Sequence, residues 1–384
     1  MGWLTYRLTG SAWLLGAVAF CASIGILVLG PVAGVVADRV NRRRGLWVTQ
    51  SLLLAQSLAL AALTAFGQVE VWQLIGFALW LGTVSAFDVP LRQALYVHLV
   101  DDRADLPNAI ALNSFIVNVA RIVGPALAGV LLALTGEAVC FALNALSFVA
   151  VIVALARLRW PRETQPAPTA GWWASYTEGA RWALGFAPTR ALLTLVAVLA
   201  WTITPYSSLM PVYAKDVYGG GPRTLGLLLS AAGAGAMLCV VYLARRSTIR
   251  GLGRVIALAA GTAGAALAGF AYLRVFPLAL LLLMLVGGGV ILAAASTNTI
   301  LQTIVDDRLR GRAAGFFSMA FLGVAPLGNL VAGALAAAMG TPATLLMNGL
   351  LCIAAALWFW RRLPELTQLL RPTYLRLGII AGEG

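Results

Sequence analysis

Charged residues are so sparse along this chain that the apolar stretches between them set its pattern. Eleven runs of roughly helix-spanning length appear, approximately over 12–37, 46–67, 71–91, 107–135, 138–156, 190–213, 224–244, 254–275, 277–300, 313–339 and 342–360. A bilayer hydrocarbon core takes about 20 apolar residues of helix per crossing, which each run supplies. Inside lipid every backbone N–H and C=O must be paired within the chain, and the runs lack the alternation of a barrel strand, so they are expected to be helices. The expected fold class is therefore an all-α membrane protein. The first run is too long for a signal-peptide core, and no basic segment and cleavage site frame it.

Composition agrees with lipid as the solvent: 61% of the 384 residues are hydrophobic and only 11% are charged, with a mean hydropathy of +0.89. The net charge of +13 would suggest nucleic acid if the arginines formed one soluble patch. They do not. Assigning alternate connections to opposite sides puts most of the 27 basic residues on one side, against Lys215, Arg223 and Arg274 in the connections of the other. By the positive-inside rule, the arginine-rich side and the C-terminus are expected to be cytoplasmic, in a cytoplasmic (inner) membrane.

The longest break in hydrophobicity, 157–189, holds Pro161, Pro166 and Pro168 and divides the chain in two. The expected organisation is a first bundle over 1–156, a cytoplasmic linker over 157–189, a second bundle over 190–364 and a cytoplasmic tail over 365–384. Trp172, Trp173, Tyr176 and Trp182 suit a short helix in the headgroup region, with an ordinary solvated linker as the other reading. The halves echo one another. VDDR occurs at Val100–Arg103 and again at Val305–Arg308, each time before a long apolar helix with a Gly/Pro cluster, GPALAG from Gly124 and APLGNLVAG from Ala325. Such internal similarity places a substrate site between the halves near mid-membrane.

Cys21, Cys140, Cys239 and Cys352 lie far apart within apolar runs, and His98 is the one histidine, so neither a metal site nor a disulfide framework is expected. Small thiols buried at helix interfaces are the expectation for all four cysteines. There is no Walker motif, and no cofactor is implied. The spans lack the clustered His, Asp, Glu or Cys of a membrane-embedded enzyme.

After the first run stands GVVADRVNRRR, Gly34 to Arg44, which resembles the major facilitator signature G-x-x-x-D-[RK]-x-G-[RK]-[RK]. Gly34, Asp38, Arg39, Arg42 and Arg43 match, and the second glycine is Asn41, a residue that tolerates the left-handed backbone better than most. The segments Ala86–Gly129 and Arg308–Gly333 are similar to the enterobactin-exporter branch of that superfamily, also called transmembrane secretion effectors.

The resemblance implies a two-bundle transporter with six helices per half that exports a small solute by alternating access. The reading drawn from it is a proton-driven exporter of a siderophore, drug or similar amphipathic compound, acting as a monomer without nucleic acid. A non-transporting truncated or scaffold protein is the other class that stays open. The resemblance implies that the signature residues form a cytoplasmic gate, a set of charge-assisted hydrogen bonds made in one conformation only, against a plain positive-inside loop. Asp88, near the cytoplasmic end of its helix, is the expected partner of Arg42 or Arg39, against an exposed, solvated carboxylate. Gly124, Pro125 and Gly129 resemble the superfamily's antiporter motif, where helices approach closely and bend.

Arg121 lies close to mid-membrane if its helix starts near Asn108, at 1.5 Å per residue. An arginine there costs at least about 2.5 kcal/mol unless paired or wet, so it is expected to point into the bundle. Contact with an anionic substrate and an ion pair with another helix both remain open. Asn118, Asn144, Thr202, Thr204, Tyr206, Asn298 and Asn329 are candidate cavity residues, though such groups more often bond a neighbouring helix. Gly287–Gly289 is expected to thin a helix for packing or bending. Finally, the first half supplies five runs where the resemblance implies six, and MGWLTYRLTGS resembles the outer end of a first helix. A start codon placed too far downstream is the expected explanation.

Overall fold

The computed structural model describes residues 1–96, 106–158, 185–246, 248–305 and 310–376, and among these every regular element is helical. The first half comprises α1 (Gly2–Thr9), α2 (Ala12–Arg39), α3 (Arg42–Ala65), α4 (Val71–Tyr96) and α5 (Leu106–Arg157). Next come α6 (Ala187–Thr202), α7 (Tyr206–Val212), which runs into a π-helical turn Tyr213–Val217, α8 (Pro222–Ala244) and α9 (Leu252–Phe270). The chain closes with α10 (Phe276–Ile304), α11 (Arg310–Ser318), a π turn Met319–Gly323, α12 (Ala325–Met339) and α13 (Thr341–Arg376).

Ten described helical stretches are long and apolar enough to cross a membrane. The difference from eleven runs lies in α5, whose 52 residues contain the runs 107–135 and 138–156. Gly136 separates them, with φ 80° and ψ 176°, a backbone conformation open to glycine and closed to nearly every other residue. The last helix continues through Pro364 and Pro372 to Arg376. The linker region 159–184, with its tryptophans, lies outside the described residues, as do His98 and both Asp-Asp-Arg segments.

Two compact units emerge. One holds Met1–Ala167 together with Ser208–Leu227, and the other holds Pro168–Ser207 with Leu228–Gly384. In the first, α2 packs along α4, and α3 packs on both α4 and α5. Leu46, Leu91, Leu95 and Leu155 form one buried cluster, and Leu4, Leu60 and Leu74 another.

The second unit is built around α9, which packs against α10 and α13. Here the triple glycine serves close packing. A Cβ on Gly287 would stand 2.1 Å from the carbonyl oxygen of Ala232 on α8, and one on Gly289 would stand 2.5 Å from that of Ala259 on α9. Cys352 is buried between α13 and α9, its thiol donating to the Ala260 carbonyl at 3.3 Å. Cys21, Cys140 and Cys239 are only half-buried, so the expectation of four buried thiols holds for one.

Candidate functional site: two carboxylates at opposite ends of the helices

Asp88 sits two turns before the end of α4, facing α3, and its side chain is 1% exposed. Thr49 and Gln50 stand on the facing turn of α3. Thr49 Oγ1 donates to Asp88 Oδ1 at 2.8 Å, and Gln50 Nε2 donates to the same oxygen at 2.7 Å. The other oxygen, Oδ2, accepts from Arg92, one turn further along α4, whose guanidinium is half exposed. A carboxylate in an apolar bundle is stable only when its lone pairs are filled, and this one has both oxygens engaged. Asp88 is therefore neither exposed nor solvated, and its observed partners come from α3 and from its own helix.

The neighbouring loop shows how α3 begins. Asn41 is not in the left-handed region: with φ −56° and ψ 113° it is the N-cap of α3, its side chain accepting from Arg44 N–H at 3.0 Å. An amide oxygen at the N-cap satisfies one of the orphan donors of the first turn, which explains Asn here without any left-handed backbone. Arg42 is half-buried and engaged in its own interactions, and Arg43 is exposed. The helix α2 carries Gly34, Asp38 and Arg39 to its end, but their side chains lie outside the described residues.

The second carboxylate belongs to the π-helical turn. Asp216 accepts a hydrogen bond from the Tyr6 hydroxyl of α1, and Lys215 Nζ lies 5.5 Å from the centroid of the same ring. Tyr6 is packed with Leu15 and Val212, so α1 is fastened to the α7 end by an apolar contact and a polar one together. Burial, then the Asp216 hydrogen bond and charge, raise the phenol above its ordinary value, which keeps Tyr6 a donor at physiological pH. Next to it, Arg7 pairs with Glu137 at 2.9 Å, just after the break in α5.

Below this contact, Gly129 of α5 meets Gly226 of α8. A Cβ on Gly129 would stand 2.6 Å from the Pro222 carbonyl oxygen, and one on Gly226 would stand 2.6 Å from the Pro125 carbonyl oxygen. Two residues of the GPALAG segment thus touch α8 directly, whereas Gly124 has open space beside it. Counting crossings from α2 onward puts Asp88 and Asp216 at opposite ends of their spans. The structure brings Tyr6, Asp216 and Glu137 into play, none of which sequence reasoning singled out, and gives Lys215 a contact beyond its place in the charge asymmetry. Residues 6 and 216 are too far apart for any spacing to pair them, although the sequence Tyr-Ala-Lys-Asp ending an apolar run is a visible anomaly.

Arg121 is exposed on α5 and forms no ion pair among the described residues. Of the polar candidates within spans, Asn144 donates to Ser57 of α3 at 2.8 Å, and Thr202 donates to the Val198 carbonyl of its own helix at 2.7 Å. Thr204 does likewise to Ala200. These bonds are those of helix packing. Asn118 lies outside the residues whose side chains are described.

Comparison with known proteins then gives this geometry a context. Residues 1–373 match the family described as "Transmembrane secretion effector". The staphyloferrin A transporter of Staphylococcus aureus is 26% identical, over 94% of this chain and 91% of its own length. A multidrug efflux pump, Tap, of Mycolicibacterium fortuitum is 28% identical, over 96% of this chain and 92% of its own. Among solved structures, the nucleoside transporter NupG superposes with a TM-score of 0.75 at 14% identity, covering 94% of this chain and 92% of that one. The D-xylose-proton symporter superposes with 0.69, also at 14% identity, over 91% of this chain and 87% of that one. These structural likenesses concern the fold.

Proposed function

Because the chain belongs to the transmembrane secretion effector family of major facilitator transporters, we propose that it is a secondary active exporter of a siderophore, drug or similar small amphipathic compound. It sits in the cytoplasmic membrane, acts as a monomer and is driven by the proton gradient, with its arginine-rich end and C-terminus in the cytoplasm. The observation that carries this reading is similarity over more than nine-tenths of both chains to proteins named as a staphyloferrin A transporter and a multidrug efflux pump. A bundle over 1–156 and another over 190–364, joined by the linker 157–189, are its moving parts.

In this reading the two ends of the protein take turns. The outer end is closed by Tyr6 on Asp216 and by the Gly129–Gly226 approach, both of which join the first half of the sequence to segments just past its middle. Releasing a solute outward requires these contacts to part. Closing the inner end falls to Asp38, Arg39, Arg42 and Arg43 beside Gly34, with the Asp88 cluster holding the neighbouring helices α3 and α4 in register. State-specific polar contacts shift such an equilibrium by their own differential strength and no more. Interhelical hydrogen bonds in membranes contribute about 0.6 to 1.7 kcal/mol each, so each contact moves the balance by roughly three- to twenty-fold. Arg121 serves as an anion contact for the solute.

Efflux measurements test the proposal: cells with and without the gene are loaded with labelled catecholate siderophores and with amphipathic dyes, and retention is followed with the gradient intact and collapsed. Lower retention only with the gene and only with the gradient intact is the expected result. Retention that does not depend on the gene removes the export reading, and dependence that survives uncoupling removes the proton.

A further inference from the structure

The second unit contains a cavity of about 830 Å³ that none of the transport contacts uses. It lies where the start of α6, the connection Ile249–Arg254 before α9, the end of α10 and the second half of α13 come together. That volume is within the ~300–1,000 Å³ of pockets that hold drug-sized molecules. Its walls are apolar: Leu192, Ile300, Phe359 and Leu370 line it and are buried. Its rim is cationic. Arg250 and Arg254 come from the α8–α9 side and Arg371 from α13, all three exposed, and no carboxylate occurs among the described lining residues.

An apolar chamber with guanidinium groups at its mouth fits an amphiphile with an anionic head. The cavity opens at the helix ends that carry the arginine excess, where a bilayer presents its phosphate groups, and basic pockets between transmembrane helices on that side accept anionic headgroups. Guanidinium binds phosphate through paired N–H donors in a planar fork. Trp360 and Tyr374, also at the cavity, are of the residue types that favour headgroup depth. The first turn of α9, which lacks a side-chain cap, adds a smaller favourable field. From this we infer that the cavity binds an anionic phospholipid, its phosphate against Arg250, Arg254 and Arg371 and an acyl chain among Leu192, Ile300, Phe359 and Leu370.

The test uses the full chain purified in a zwitterionic detergent and reads phosphatidylglycerol binding by native mass spectrometry and by the rise in Tm on titration with mixed micelles. Phosphatidylcholine and inorganic phosphate are the parallel arms. Phosphatidylglycerol should bind and raise Tm, with neither of the others doing so. Replacing all three arginines (Arg250→Ala, Arg254→Ala, Arg371→Ala) should weaken binding about a hundred-fold, since each cation near an anionic surface contributes roughly a factor of five. Leu192→Trp, which fills the chamber and keeps the rim, should also abolish lipid retention, and it decides the matter if the triple variant does not fold. Unchanged phosphatidylglycerol binding in the variants, equal binding of phosphatidylcholine, or equal stabilisation by phosphate alone would each overturn the assignment.

Discussion

Asp88 is buried and Asp216 is exposed, and although both carboxylates accept hydrogen bonds, they hold different things together. Asp88 takes its partners from α3 and α4, adjacent helices of one bundle that share a short connection, and three donors converge on it. Asp216 takes its hydrogen bond from a tyrosine 210 positions away, on a short helix, with an ammonium group over the ring. The first arrangement stiffens a pair of neighbours that can move as a body. The second joins α1 to a segment more than two hundred positions along the chain, a contact that the proposed outward release would have to part. On the proposed reading, the satisfied buried carboxylate belongs to the frame and the single bond to a distant partner belongs to the part that opens.

The sharpest way to break this comparison is at the glycine contact beneath Asp216. Gly226→Leu would put side-chain atoms against the Pro125 carbonyl, a backbone atom that cannot swing aside, so the outer closure should be lost. Overpacking costs typically about 1–3 kcal/mol, enough to move a conformational balance by one to two decades. The expected outcome is loss of most efflux with normal membrane insertion, and a cysteine placed at Val212, buried beside Tyr6, should become accessible to a thiol reagent added from outside. Unchanged efflux and a shielded cysteine would show that the contact is not part of the cycle.

Next in size is Asp88→Ala. It strips three donors of their acceptor at a buried site, at roughly 1–3 kcal/mol for a group left unsatisfied. The loss should fall on the fold, seen as a lower Tm and reduced protein in the membrane. Asp88→Asn keeps an acceptor oxygen and should recover much of that stability. If Asp88→Ala instead left Tm unchanged and only slowed transport, the carboxylate would belong to the moving gate and not to the frame.

Tyr6→Phe should do the opposite. Removing one hydroxyl while keeping the ring against Leu15 and Val212 leaves Tm nearly unchanged, and it shifts the outer closure by roughly three- to twenty-fold. Outward accessibility of position 6 neighbours, measured by thiol labelling, should rise accordingly. Smallest of all is Arg7→Ala: the Arg7 side chain is 49% exposed, and ion pairs of that kind contribute about 0–1 kcal/mol, so efflux and Tm should both stay close to the wild-type protein.

Sequence reasoning reached some of these residues and missed others for physical reasons. The spans were legible because lipid forces long uninterrupted apolar runs, and even the break at Gly136 shows as Thr135-Gly136-Glu137 between two of them. Asp88 stood out as a carboxylate close to a helix end. Its partners do not, because the arginines of the signature point to a long-range charge pair with Arg42 or Arg39, whereas Thr49 and Gln50 are a polar pair inside an apolar run. Those two side chains face α4 across a close helix pair, a relation that becomes visible only when the register of α3 against α4 is known. Tyr6 and Asp216 were beyond reach of any periodicity argument, since their meeting depends on the packing of α1 against the α7 end. Residue type alone suggests a backbone role for Asn41, whereas its side chain acts as the N-cap of α3.

Export itself is the claim on which the rest depends, and it is most directly measured by loading cells with a labelled siderophore or amphipathic dye and comparing its exit with the wild-type protein, with Gly226→Leu and without the gene. The account predicts fast, gradient-dependent exit with the wild-type protein, and exit at the background rate with the other two. Equal exit in all three would contradict it.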